Sequence, residues 1–341
     1  MPRILPDTEM PSPTVSESHP AQALSEGWSR LPAAYAIPPS APSLEQAQEY
    51  CAHLARTHYE NFSVATWFLP KKLRQDFFNV YAYCRISDDL GDEVGDAIAS
   101  LALLDEWQKE LNACYEGNLR HPVFVALAQT VKKFEIPKHE FSDLLIAFRR
   151  DQTITRFETF ADVLAYCSYS ANPVGHLVLY LCRYHDAGRQ QLSDYTCTAL
   201  QLANFWQDVS VDYGKGRIYL PLEDLRRYSV SEKDIQEKQN TPAFCQMMKF
   251  EVERARQWFE RGLPLVSKVD AALAIDIELF SRGGQEILHA IERQQFAVLG
   301  RRPVISKSRK LTLVARAALG KLLGASSDSG GRKPEAGSRP R

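Results

Sequence analysis

Two stretches of the chain concentrate side chains able to hold a charged ligand. In the first, Arg85-Ile86-Ser87-Asp88-Asp89-Leu90-Gly91-Asp92, the carboxylates of Asp88 and Asp92 stand four residues apart and share one helix face. Tyr81 and Arg85 lie on the turns before them, and Asp89 points elsewhere. In the second, Gln201, Asn204, Asp208 and Asp212 fall in one narrow helical stripe, with Leu200 and Val211 on one side and Phe205 and Val209 on the other. Like charges four residues apart repel, and burying them unpaired is far more costly, so such stripes need a cation. Oxygen donors without His or Cys suit Mg²⁺, which retains waters and is commonly shared between a few carboxylates and substrate phosphates. The two clusters therefore point to a diphosphate held by metal between two facing helices. One Asp-x-x-x-Asp alone is ordinary on a solvated helix face. The second stripe differs, because a purely solvated face would leave Trp206, Phe205 and Leu202 without a single-sided burial scheme. Arg85 suits either an ion pair with Asp88 or bidentate phosphate contact.

The elements that must position these residues read as helices. Apolar residues recur at three- and four-residue intervals, as in Leu101, Leu104, Trp107 and Leu111, where a strand would need strict alternation. Ser43 with Gln46 has capping-box spacing, Thr159 precedes Asp162 and an apolar run, and Ser193 opens a stretch without a breaker until Gly214. No Gly-x-Gly-x-x-Gly, Walker-type loop or Gly-x-Ser-x-Gly occurs, which removes the usual support for dinucleotide, P-loop and hydrolase readings. With 41 basic and 42 acidic residues the formal charge is −1, which argues against a nucleic-acid partner. The 7 cysteines form no Cys-x-x-Cys pair, as expected of reduced thiols in a cytoplasmic protein.

The sequence divides into four expected parts. Nine of the 19 prolines precede Ser43, so residues 1–42 read as a disordered leader. Residues 43–300 form an all-α catalytic body. Residues 301–324 form a basic amphipathic segment in which Leu311, Val314, Ala315, Ala318 and Leu322 share a face, fit to dock on a membrane surface or on the body. Residues 325–341 are a disordered tail. No apolar run, Leu177 to Cys182 included, is long enough to span a bilayer.

From about Tyr59 to Pro303 the chain resembles the squalene and phytoene synthases, all-helical enzymes that process prenyl diphosphates with Mg²⁺. The resemblance is carried by Tyr81-Ala82-Tyr83-Cys84-Arg85 through Asp92, and by Gln201-Leu202-Ala203-Asn204 through Asp208 and Asp212 to Arg217-Ile218-Tyr219-Leu220-Pro221. Three further segments look like the hydroxysqualene synthase branch of bacterial hopanoid biosynthesis: His58-Tyr59-Glu60-Asn61-Phe62, Ser170-Ala171-Asn172-Pro173-Val174-Gly175, and Asn204 through Val209. The resemblance implies a single-domain isoprenoid synthase bundle around an apolar cavity, with Asp88, Asp92, Asn204, Asp208 and Asp212 as the metal and diphosphate site. It implies substrate contacts from His58, Asn61, Tyr81, Arg85 and Gln201. Phe62, Tyr166, Phe205 and Trp206 could wall the isoprenoid, though ordinary core packing suits the last two equally. Lys215 and Arg217 are placed to neutralise leaving diphosphate or to answer the helix dipole.

The sequence also departs from the family pattern. Gln207 and Gly284 replace an Arg and a Tyr that commonly help bind diphosphate, and Asn172-Pro173 replaces a small pair, with Pro expected to kink its helix and free a carbonyl for a water. The expectation is conversion of presqualene diphosphate and water to hydroxysqualene, without NADPH. The alternatives are joining of two prenyl diphosphates to presqualene diphosphate, squalene or phytoene, or non-catalytic isoprenoid-diphosphate binding.

Overall fold

The computed structural model describes residues 20–57 and 71–306. Thirteen α-helices lie in these residues: α1 (Pro20–Ser29), α2 (Leu44–Thr57), α3 (Arg74–Asp92), α4 (Ala97–Glu116), α5 (Pro122–Phe134), α6 (His139–Arg150), α7 (Phe160–Ser170), α8 (Asn172–Leu181), α9 (Ala187–Gly214), α10 (Leu222–Arg227), α11 (Glu232–Gln236), α12 (Pro242–Gly262) and α13 (Ala271–Arg293). Among the described residues there is no strand, only an isolated parallel bridge between Arg156 and Ile218. The all-helical expectation is met.

Two cores hold the bundle. One packs α2 to α6 around Trp107, whose ring lies 4.6 Å from that of Phe124 and 6.2 Å from that of Tyr83. Its indole nitrogen donates to Ser87 Oγ at 2.9 Å and the Tyr83 hydroxyl donates to the Phe141 carbonyl at 2.9 Å, which pins the inner face of α3. The face carrying Arg85, Asp88 and Asp92 is thereby turned away from this core, while Tyr81 packs against its edge. The other core gathers α7, α9, α12 and α13 around Trp206, Phe244 and Phe259. The apolar flank of α9 is buried here: Leu202 and Trp206 are fully enclosed and Phe205 is 4% exposed.

The capping boxes at Ser43 and Thr159 form as the spacing predicts, with Ser43 N–H donating to Gln46 Oε1 at 2.9 Å and Thr159 N–H to Asp162 Oδ2 at 2.8 Å. Three other expectations are corrected. The leader is structured from residue 20: α1 lies on α4, and Ala23, Leu31 and Tyr35 are buried. Pro20 opens that helix, where a missing N–H is harmless, and the bare Gly27 admits Leu103, whose Cδ1 would stand 2.7 Å from an added Cβ. The long helix α9 starts at Ala187 rather than Ser193, capped by Asp186, which accepts from Arg189 N–H at 3.0 Å. Pro173 does not kink a continuous helix, because it lies in the first turn of α8, after Ala171 has ended α7. Residues 301–306 carry no helix, and residues 307–324 and the tail lie outside the described residues.

Candidate active site

Helix α9 presents two chemistries on one face. Ser193, Thr196, Cys197 and Leu200 line an apolar cavity of about 250 Å³, together with Phe77 of α3, Val174, Gly175 and Val178 of α8, and Leu273 and Ile277 of α13. The same face continues with Gln201, Asn204, Asp208 and Asp212, so carbon-lining residues give way to oxygen ligands over about 18 Å of helix rise from Leu200 to Asp212. Gly175 makes the cavity wall possible: a Cβ there would lie 2.3 Å from Ser193 Oγ and 2.6 Å from Cys197 Sγ. His176, next to it, bridges three helices, with Nε2 2.7 Å from Asp194 Oδ1 and Nδ1 3.0 Å from Glu140 Oε2.

The end of α3 faces the end of α9 through two cations. Lys215 Nζ donates to Asp92 Oδ2 at 3.2 Å and Arg217 Nη1 to Asp92 Oδ1 at 2.9 Å. These residues are held because the chain after α9 is stitched to the chain after α6: Ile218 N–H donates to the Thr155 carbonyl at 2.9 Å, Leu222 N–H to Phe157 at 2.9 Å, and Arg156 Nη1 to Gly216 at 2.7 Å. Behind Arg217 lies a buried carboxylate, Asp151, which accepts from the Tyr166 hydroxyl at 2.8 Å and the Tyr219 hydroxyl at 3.4 Å.

The electrostatics mark the clusters as cation-seeking. Burial and then the charge of Asp92 push the Asp88 carboxyl up to about 6, and burial and then Asp208 push Asp212 up to about 7. Asp92 moves the other way: burial opposes its ionisation, but Arg217 and then Lys215 hold it below the usual carboxylate range. Asp208 is clasped by Arg302, which donates from Nη2 to Oδ2 at 2.9 Å and also from Nε. The strap carrying Arg302 is tied to α9, where Gln207 Nε2 donates to the Pro303 carbonyl at 2.6 Å and Ser210 Oγ to the Leu299 carbonyl at 2.6 Å.

These features test whether the donor set suits a divalent ion. Among the described residues, no three acidic, His or Cys side chains converge closely enough to hold a metal by themselves. Carboxylates spaced four residues apart on two opposed helix ends nonetheless suit Mg²⁺, which completes its shell with waters and substrate phosphates rather than an all-protein cage. The residues present fit that ion.

The expected site residues separate into groups. Asp88 and Asp92 on α3, and Asn204, Asp208 and Asp212 on α9, lie on the two helix ends that Lys215 and Arg217 connect. Gln201 is half-buried where the cavity lining ends. Tyr81 is half-buried one helical turn after the cavity residue Phe77. Arg85 pairs chiefly with Asp89, Nε to Oδ2 at 3.0 Å and Nη2 to Oδ1, while its Nη1 stands 3.6 Å from Asp88. Tyr166, Phe205 and Trp206 are not among the cavity lining: Tyr166 and Phe205 pack with Tyr219, whose ring stacks on Phe205 at 3.9 Å, so they buttress the site from the second core. Asn172 accepts from Thr198 Oγ1 at 3.1 Å. His58, Asn61 and Phe62 lie outside the described residues. Tyr35, Asp151 and Arg302 were not singled out from sequence. Each reaches the site from a distant segment, and no local spacing announces that.

A family model for squalene/phytoene synthase matches residues 41–309. The chain belongs to the squalene/phytoene synthase family. The 15-cis-phytoene synthase of Synechocystis sp. is 31% identical over 285 residues, 79% of this chain and 83% of that protein. Among solved structures, squalene synthase HpnC from Alicyclobacillus acidocaldarius is 40% identical, with a TM-score of 0.71 over 79% of this chain and 98% of that one. A ligand-bound dehydrosqualene synthase is 26% identical, with a TM-score of 0.74 over 83% of this chain and 98% of that one. The bundle is the isoprenoid synthase fold, and the family supports prenyl diphosphate chemistry for this chain.

Proposed function

We propose that this chain converts presqualene diphosphate and water to hydroxysqualene and diphosphate. The observation that carries the reading is the shared face of α9, which sets an apolar cavity directly beside a stripe of oxygen ligands and so matches a long hydrocarbon ending in diphosphate. Mg²⁺, when bound, supplies the Lewis-acid charge that favours departure of the diphosphate. Asp88, Asp92, Asn204, Asp208 and Asp212 would hold it. Lys215, Arg217 and Arg302 offset the anionic charge left as the carbon–oxygen bond breaks, and Arg85 and Gln201 contact the substrate's polar end. The apolar lining shields the cation while it rearranges. One water then adds, forming the new carbon–oxygen bond and losing a proton. Asn172 is assigned to orient that water, at the start of the helix that also supplies Val174 and Gly175 to the cavity.

Two features support a substrate with a single diphosphate over the joining of two. Gln207 is engaged with the strap through Pro303 and Arg302, and Gly284 is packed against Phe259 and Leu200, so neither position supplies a second phosphate ligand. The joining reaction is the alternative, favoured by relatives named as phytoene synthases. No NADPH is needed for the proposed reaction. The functional partners are then the enzymes that form presqualene diphosphate and consume hydroxysqualene, in the cytoplasm or on the inner face of a membrane. No described helix is long and apolar enough to cross one.

The test is to offer farnesyl diphosphate and presqualene diphosphate separately with Mg²⁺, with and without NADPH, in ¹⁸O-labelled water. Labelled hydroxysqualene from presqualene diphosphate alone is expected. A hydrocarbon product, or turnover of farnesyl diphosphate only, would refute it.

A further inference from the structure

The family model begins to match at residue 41, yet the chain before that point reaches the base of the first acidic cluster. After α1, a short 3₁₀ turn over Ala33–Tyr35 buries the Tyr35 ring, which is 2% exposed. The turn is fixed from two sides: Tyr50 Oη donates to the Ala34 carbonyl at 2.8 Å, and Arg30 Nη1 donates to the Val94 carbonyl at 3.1 Å. From this anchored backbone the Tyr35 hydroxyl donates to Asp89 Oδ2 at 2.7 Å. The same oxygen accepts from Arg85 Nε at 3.0 Å, and Arg85 Nη2 takes the other oxygen. Asp89 itself is 4% exposed.

We infer that Tyr35 is a positioning residue for the diphosphate end of the site, acting through Asp89 on Arg85; this rests on the prenyl diphosphate reading proposed above. Without Tyr35, the Asp89 carboxylate and the Arg85 guanidinium would orient only one another, and both could rotate together. With it, the carboxylate plane is tied to fixed backbone. Two guanidinium nitrogens are then committed inward and Nη1 is left toward Asp88, on the face where the leaving group must lie. The contact is made by a residue ahead of the matched region.

Tyr35→Phe keeps the ring and removes only the donor. Calorimetric titration with inorganic pyrophosphate and Mg²⁺ is expected to give about three- to tenfold weaker binding, with a matching rise in KM and a smaller change in kcat. Mn²⁺ binding without pyrophosphate should be unchanged, because Arg85 holds no metal. In an Arg85→Lys background, which lacks the two-pronged fork, the Tyr35→Phe effect on pyrophosphate should vanish. Should Tyr35→Phe fold poorly, Asp89→Asn tests the same link from its other side and should weaken pyrophosphate binding in the same way. Wild-type affinity in these variants, or an undiminished Tyr35→Phe loss in the Arg85→Lys background, overturns the inference while leaving the proposed function intact. Failure of the wild-type chain to bind pyrophosphate at all overturns both.

Discussion

His176 gives the sharpest test of how the cavity wall is held. Its ring lies between Asp194 and Glu140, with Asp143 and His139 close to the same carboxylates, and its side chain is 18% exposed. Burial alone would disfavour the charged ring, but the hydrogen bonds to Asp194 and then Glu140 outweigh it and push the imidazolium up to about 9 from 6.5. That difference corresponds to roughly 3 kcal/mol favouring the protonated ring in the folded chain. Because the folded pKa is the higher one, the contribution is fully present below the unfolded value of 6.5 and is lost as pH rises through about 9. The perturbation is His176→Gln, followed by urea unfolding from pH 6 to pH 10 in parallel with wild type. The stability difference between the two chains should shrink by about 2–3 kcal/mol across that window, wild type losing more. A difference that stays constant with pH, or that grows as pH rises, would refute the assignment of a charged bridge between α6, α8 and α9.

Two further perturbations probe packing and the charge behind Arg217. A Cβ at Gly284 would lie 2.4 Å from Phe259 Cζ and 2.8 Å from Leu200 Cδ2, so overpacking of about 1–3 kcal/mol should exceed the helix-propensity gain of about 1 kcal/mol. Gly284→Ala should therefore lower Tm by a few degrees, and a raised Tm in a thermal scan would show the contact to be slack. Burial, the largest influence on Asp151, pushes its carboxyl up to about 6, so its ionised form is disfavoured in the fold and stability falls as pH rises from 3.8 through 6. Asp151→Asn should gain stability above pH 6 and yet need several-fold more Mg²⁺ for half-maximal turnover, because Arg217 loses its second anion and closes on Asp92. A lower Tm above pH 6, or an unchanged Mg²⁺ requirement, would contradict this.

The parts of the site legible in sequence are those written in helical periodicity. Asp88 with Asp92, and Gln201 through Asp212, needed only the 3.6-residue repeat, and the capping boxes at Ser43 and Thr159 needed only a three-residue spacing. The aromatic wall was not legible, because periodicity places Phe205 and Trp206 beside the polar stripe without telling which neighbour covers them, and here it is the second core. Proline density concealed α1, since Pro20 stands at its first residue and the others fall outside it, while Ala23, Leu24 and Leu31 keep an apolar spacing that docks on α4. Asp89 needed tertiary contacts. Its spacing from Asp88 and Asp92 says only that it points away, and its partners Tyr35 and Arg85 come from one distant and one local segment.

The central claim is that the opposed acidic helix ends act on a departing diphosphate, and the most direct measurement is inorganic pyrophosphate release from presqualene diphosphate at saturating Mg²⁺. Asp208 is the residue to change, because it lies on the α9 stripe and pairs with Arg302 of the strap. Asp208→Asn keeps the side-chain volume and removes the charge, and it should lower release by about 100-fold or more while unfolding within a few degrees of wild type. Release at near the wild-type rate would contradict the account.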